Sequence, residues 1–243
     1  MNTPPHADLS VLEVLRSGTI RLEGQFVWGS NSTFLVKVGS GSDEIAAVYK
    51  PARGERPLWD FPAGTLAKRE VAAYLASQVL GWDLIPPTLL RSDGPAGPGS
   101  LQFYVDVDPE RHYFAFSDTE RQQLRPVALF DIVVNNADRK GGHVLLDLQD
   151  HLWLIDHGVC FHPEFKLRTV VWDFAGEAIP AALLSDVQRC RDDLSGETEL
   201  SSSLRGLLSP EEVLAMRARA EWLLNQRHFP HPGPGRPYPW PLV

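Results

Sequence analysis

The chain has 243 residues, 43% hydrophobic and 22% charged, an ordinary composition for a globular protein with one large domain or two small lobes. A net charge of −8 argues against a nucleic-acid partner, and no apolar run approaches the ~20 residues that cross a bilayer. The start, MNTPPHADLS, lacks the basic and apolar regions of a signal peptide, and two cysteines, Cys160 and Cys190, are too few for a disulfide framework, so a cytoplasmic location with reduced thiols is expected.

In chain order, residues 8–17 predict a short amphipathic helix ending near Gly18. TIRLEGQFVW and TFLVKVG alternate like the two strands of a hairpin, with GSNS (29–32) as the turn. EIAAVYKP predicts a third strand, closed by Pro51. A strong helix is expected over 66–80, with Thr65 as N-cap and Gly81 as the stop. PTLLR and SLQFYVD read as two further strands flanking the turn at 91–100. DTERQQLRPVALFDIVVNN reads as one helix containing Pro126, followed by two short strands and by helices near 179–193 and 209–226. The Pro-rich tail HFPHPGPGRPYPWPLV has no period of either kind and is expected to lie along the surface or to be partly disordered.

Two stretches carry an Asp in a short polar turn beside strand-forming residues: NNADRKGGHVLL (135–146) and WLIDHG (153–158). Upstream lie a Gly/Ser turn, a strand ending in Lys50 and a helix carrying Glu70. Phosphoryl transfer from ATP uses such parts: small residues that let backbone N–H groups approach phosphate, a lysine on the phosphates, a glutamate that orients it, one Asp for the acceptor and one for metal. Each part alone has an ordinary explanation. Gly/Ser turns are mostly only turns, strand-end lysines and helix glutamates usually face solvent, and an Asp after a strand often caps the turn. The shared order raises the chemical reading above these. A zinc site from His157, Cys160 and His162 fits no closed ligand set, and no G-x-S-x-G elbow suggests a hydrolase.

The pieces WGSNSTFLVKV, VYKP, REVAAYLASQVLGWDLIPPT, GSLQFYVD, FDIVVNNADRKGGHVLL and LIDHGVCF together resemble the phosphatidylinositol 3/4-kinase superfamily, nearest to type II phosphatidylinositol 4-kinases and to bacterial phosphatidylinositol-kinase-like proteins. The resemblance implies an α+β, protein-kinase-like two-lobe fold. The N-lobe (1–105) would hold an antiparallel sheet and one helix, and a mostly helical C-lobe (106–243) would follow. By the same resemblance Ser30, Asn31, Ser32 and Thr33 would cover the ATP phosphates, and Lys50 would contact them and pair with Glu70. Gln102, Phe103, Tyr104 and Val105 would form the hinge whose backbone meets adenine. Asp138 would be the catalytic Asp, and Asp156 would bind Mg²⁺ or Mn²⁺. Residues 169–176, with Trp172, fall where this superfamily meets its acceptor.

The register departs from the family at 138–143, where Asp-Arg-Gly-Asn-Asp-Asn is replaced by Asp-Arg-Lys-Gly-Gly-His. His143 therefore stands where an Asn would help hold a metal, and an imidazole suits Mn²⁺ better than Mg²⁺. The expected function is transfer of the γ-phosphoryl group of ATP to a hydroxyl on a protein, a small molecule or a phosphoinositide headgroup. The alternatives are an ATP-binding pseudokinase acting as a regulatory module and, more remotely, nucleotidyl transfer. Peripheral membrane contact is conceivable but has no anchor motif to support it.

Overall fold

The structure, a computed structural model, describes residues 9–26 and 31–243. Helix α1 (Leu9–Ser17) leads into strands β1 (Ile20–Gln25), β2 (Phe34–Val38) and β3 (Ile45–Pro51). Helix α2 (Leu66–Leu80) follows, then β4 (Thr88–Arg91) and β5 (Gly99–Phe103). All strand pairings are antiparallel, in the order β1-β2-β3-β5-β4. Side chains alternate across a strand. In β3 this sends Ala47 and Tyr49 into a small core with Val36, Val38, Leu101 and the Val11 and Leu15 face of α1. It sends Val48 and Lys50 to the opposite face. The guanidinium of Arg91 donates to Leu15 O and Gly18 O, tying the end of α1 to the sheet.

Helix α2 occupies the expected residues, and Gly81 ends it in the left-handed conformation, φ 71°. The expected Thr65 cap is not made. The Thr65 hydroxyl donates to Pro62 O, and the free N–H of Ala67 is taken by the Glu55 carboxylate at 3.0 Å. Buried positions fall all round α2, because it is wedged between the sheet and the helical part. The buried Arg69 guanidinium donates to Cys160 O at 2.6 Å and pairs with Glu212, which pins the helix to the C-terminal region.

The helix expected over 118–136 is interrupted. Helix α3 (Asp118–Arg121), capped by Ser117 and Glu120, runs into a single 3-10 turn, and α4 (Arg125–Val134) begins anew with Pro126 in its first turn. Proline lacks an N–H and is tolerated at a helix start but not inside one. Asn135 closes α4 in the left-handed region. A hairpin of β6 (Val144–Leu146) and β7 (Leu152–Leu154) comes next. Helices α5 (Ala181–Ser195), α6 (Glu199–Leu207) and α7 (Pro210–Gln226) complete the helical part. Helix α6 was absent from the sequence reading, because its Ser-rich run masks an amphipathic pattern that buries Leu204.

The larger core joins α2, α4, the β6–β7 hairpin, α5 and α7. The tail has no regular structure, as expected, but it is tethered. Phe229 is buried, and its backbone exchanges hydrogen bonds with Gly176 and Glu177. Thr169 N–H donates to Pro237 O, and Gly141 N–H donates to Leu242 O at 2.7 Å. No described helix is long and apolar enough to cross a membrane.

Candidate active site

The β3 pleat turns Lys50 toward the first turns of α2, where Glu70 is buried. Lys50 Nζ donates to Glu70 Oε1 and, at 3.0 Å, to Asp156 Oδ1. The other Glu70 oxygen accepts the backbone N–H of His157 at 2.9 Å. One glutamate therefore holds the lysine and the Asp156 turn together. Asp156 leaves the end of β7 in the left-handed conformation, φ 61°, a strained setting for a side-chain-bearing residue, and its carboxylate is half-exposed. Lys50 beside it holds that carboxyl well below the usual range, against burial. Burial disfavours the charged lysine, yet Asp156 and Glu70 outweigh it and push the ammonium up. Burial pushes the Glu70 carboxyl up against the pull of Lys50.

His143 Nε2 lies 3.5 Å from Asp156 Oδ2. Burial pushes its imidazole down to about 4, so it is neutral at pH 7, with Nδ1 accepting the Lys140 N–H at 3.4 Å and Nε2 facing Asp156.

Asp138 follows α4 in a turn held by its own N–H to Asn136 Oδ1 at 2.9 Å. Lys140 Nζ stands 3.3 Å from its carboxylate. Burial pushes the Asp138 carboxyl up, with Lys140 opposing, and Asp156 is near enough for the two negative charges to interact.

Beneath this loop lies a network that the sequence reading did not find. Arg139 is fully buried and donates to Asp131 at 3.0 Å, to Ile155 O at 2.9 Å and to His157 Nε2 at 2.7 Å. Thr169 and Asn136 also donate to Asp131. Because arginine only donates, His157 Nε2 accepts and the proton sits on Nδ1, which has no hydrogen-bond partner among the described residues. Ala137 N–H donates to Val159 O. The Asp138 loop and the Asp156 turn are thus one cross-braced unit. The signal available in the sequence was Asp131 itself, a charge inside the apolar run VALFDIVV.

A cavity of about 330 Å³ lies between the sheet and the β6–β7 hairpin. Val48, Pro86, Leu145 and Ile155 supply apolar walls, and Lys50, Glu70, His143 and Asp156 form its polar end. Asn31, Ser32 and Thr33 line it, as do Gln102, Phe103, Tyr104 and Val105. Ser32 rests on Gly54, where a Cβ would come within 2.6 Å of the Ser32 Cβ, so only glycine admits that approach. Ser30 lies outside the described residues. Asp138 does not line the cavity.

The fold, an antiparallel sheet with one inserted helix followed by a helical part, is kinase-like. Among solved structures the Helicobacter pylori proinflammatory kinase CtkA matches with a TM-score of 0.56 over 88% of this chain and 94% of that one, at 10% identity. The chain is 41% identical to Protein Rv2133c of Mycobacterium tuberculosis over 263 aligned positions, 94% of each chain, and belongs to the same family. Phosphatidylinositol 4-kinase gamma 4 of Oryza sativa is 30% identical over 179 positions, covering 59% of this chain and 32% of that one. Phosphatidylinositol 4-kinase gamma 2 of Arabidopsis thaliana is 26% identical, covering 59% and 35%. This chain thus spans about a third of the length of those plant relatives. No family model matches the chain.

Proposed function

We propose that the protein is an ATP-dependent phosphotransferase that moves the γ-phosphoryl group to a hydroxyl acceptor. The observation that carries the reading is Lys50, held charged between Glu70 and Asp156 at the polar end of an apolar-walled cavity. In this reading the N-lobe ends near Val105, and the purine lies between Val48 and Leu145. The amides of Phe103 and Tyr104 are engaged by Pro87 O and Ala46 O, so we assign the adenine edge to the Val105 amide. Asn31 to Thr33 and Lys50 take the phosphates.

Among the described residues no three His, Cys, Asp or Glu side chains are grouped to hold an ion by themselves. Asp156 and the neutral His143 form a partial donor set, and a set this small suits an ion that is also held by substrate phosphates. They are the residues that would hold Mg²⁺ or Mn²⁺, which when bound would neutralise charge on the transferred phosphoryl group. Asp138 aligns the acceptor hydroxyl and takes its proton, a role favoured by the upward shift of its carboxyl. Lys140 sits beside it to meet the phosphoryl oxygens. Catalysis here is mainly positioning and charge stabilisation. The free, buried thiols of Cys160 and Cys190 support a cytoplasmic setting.

The departure at His143 favours a second reading, a nucleotide-binding module without turnover. One experiment separates the two. Purified protein is incubated with γ-labelled ATP and either Mg²⁺ or Mn²⁺, beside Asp138→Ala and Asp156→Ala. Label on protein or released as phosphate, and lost in both variants, is expected. ATP that raises the melting temperature without turnover would transfer the case to the pseudokinase. ATP that does neither would remove the site assignment.

A further inference from the structure

A second, larger trough of about 860 Å³ lies on the helical part. Residues 163–172, helix α7 and the tethered tail at 230–237 bound it. Its surface is aromatic and proline-rich, with Phe165 and Trp222 exposed and Trp172 half-buried. Its charge is opposite to that of the chain as a whole. No Asp or Glu lines it, whereas Arg168, Arg219 and Arg236 do, one from each bounding element.

The arginines are not absorbed by internal pairs. Among the described residues, neither Arg168 nor Arg236 is in a side-chain ion pair and both are exposed, although Arg168 is near enough to Asp138 to draw its carboxyl down. Arg219 is more than nine-tenths buried. Its Nε donates to Val133 O at 2.9 Å and its Nη1 to His162 O at 3.4 Å, but its Nη2 has no partner among the described residues, and burial, opposed by Cys160 and Glu212, pushes the guanidinium down to about 10. A buried guanidinium with no carboxylate in direct contact is unfavourable, and an incoming carboxylate would offset that. Lys166 at the edge is already paired with Asp60 at 2.9 Å.

The trough also leads to the candidate catalytic loop. Arg168 N–H donates to Asn136 O, and Arg139 N–H donates to Arg168 O, both at 2.9 Å. A ligand lying along residues 163–172 therefore arrives beside Asp138. Walls on three sides admit an extended chain, whereas a bilayer presents a flat surface. The overall charge of −8 disfavours long-range attraction of nucleic acid. Clustered arginines are the chemistry that recognises acidic peptide motifs, and the aromatic walls supply apolar contact to an extended backbone.

We infer that this trough is the acceptor-docking site and that its occupant is an extended polypeptide segment carrying Asp or Glu side chains. The inference rests on the phosphotransferase reading only in assigning the segment's hydroxyl to Asp138, because docking itself needs no turnover.

The test is fluorescence anisotropy with three labelled degenerate 12-residue peptide pools, each with a fixed serine and with flanks enriched in acidic, neutral or basic residues. They are titrated against the full chain, Arg236→Glu and Trp222→Ala, with phosphatidylserine vesicles as a fourth probe. The acidic pool should bind at least about tenfold tighter than the neutral one, and both variants should abolish that margin. The ATP-induced rise in melting temperature should be unchanged in both variants, which reads the cleft and folding separately. Pools that bind alike, an acidic preference that survives both variants, or vesicle binding in place of peptide binding would each overturn the inference. Loss of the ATP shift in the unsubstituted chain, with peptide binding intact, would instead count against the phosphotransferase reading alone.

Discussion

Two charged clusters stand a few residues apart in this molecule and behave differently. Lys50, Glu70 and Asp156 meet at a cavity, with part of the lysine and half of Asp156 open to solvent. Arg139, Asp131 and His157 meet where no solvent reaches. The first is a set of charges that can exchange partners when an anionic ligand arrives. The second has no access to any ligand, so its function is to fix the Asp138 loop and the Asp156 turn in one geometry. An ion pair at a cleft and an ion pair in a core can have similar distances and opposite purposes.

The largest effect should come from the enclosed cluster. Arg139→Met leaves Asp131 buried without its cation and should lower unfolding stability by about 3–5 kcal/mol in urea titration. An unchanged midpoint would dissolve the contrast. Lys50→Met should show the reverse pattern. Glu70 keeps the His157 N–H and can take up a proton, so stability should fall by only about 1 kcal/mol, while release of labelled phosphate falls by about 10²-fold. Equal losses of stability in the two variants would show that the clusters are alike.

Acidification sharpens the comparison. Burial pushes both His143 and His157 down from 6.5, so their neutral forms are favoured in the folded chain. The unfolded chain takes up protons first. The stabilisation is complete above pH 6.5 and is lost as pH falls toward the lowered values. In EDTA, His143 should contribute about 2 kcal/mol of destabilisation by pH 5 and His157 should add to it in the same direction, read as a falling melting temperature. His157→Gln should flatten the profile by its share. The smallest effect concerns the helix that presents Glu70. Glu55→Ala removes the acceptor of Ala67 N–H and should cost about 1 kcal/mol. A zero effect would show that the Arg69 anchor alone positions α2.

Much of this was readable from local pattern. Helix α2 begins and ends where its apolar run and Gly81 indicate, and the period of β3 places Lys50 opposite Tyr49. Asp156 after an apolar strand was likewise a local signal. What escaped has long-range causes. Glu55 caps a helix from another segment, and the tail is ordered by backbone bonds to residues far away in the chain. The Asp131–Arg139 pair joins a helix to a turn, and only the fold shows that it is sealed. Pro126 was visible, but its position in a first turn became clear only where α4 starts.

The hydrogen bond from Gly141 to Leu242 O has a consequence in time. Synthesis proceeds from the N-terminus, so the loop bearing Asp138 leaves the ribosome long before the segment that latches it. Until Leu242 has been added, that loop lacks one of its braces. Nascent chains would carry the ingredients of the site without its finished geometry, and completion of the site would coincide with arrival of the latching segment.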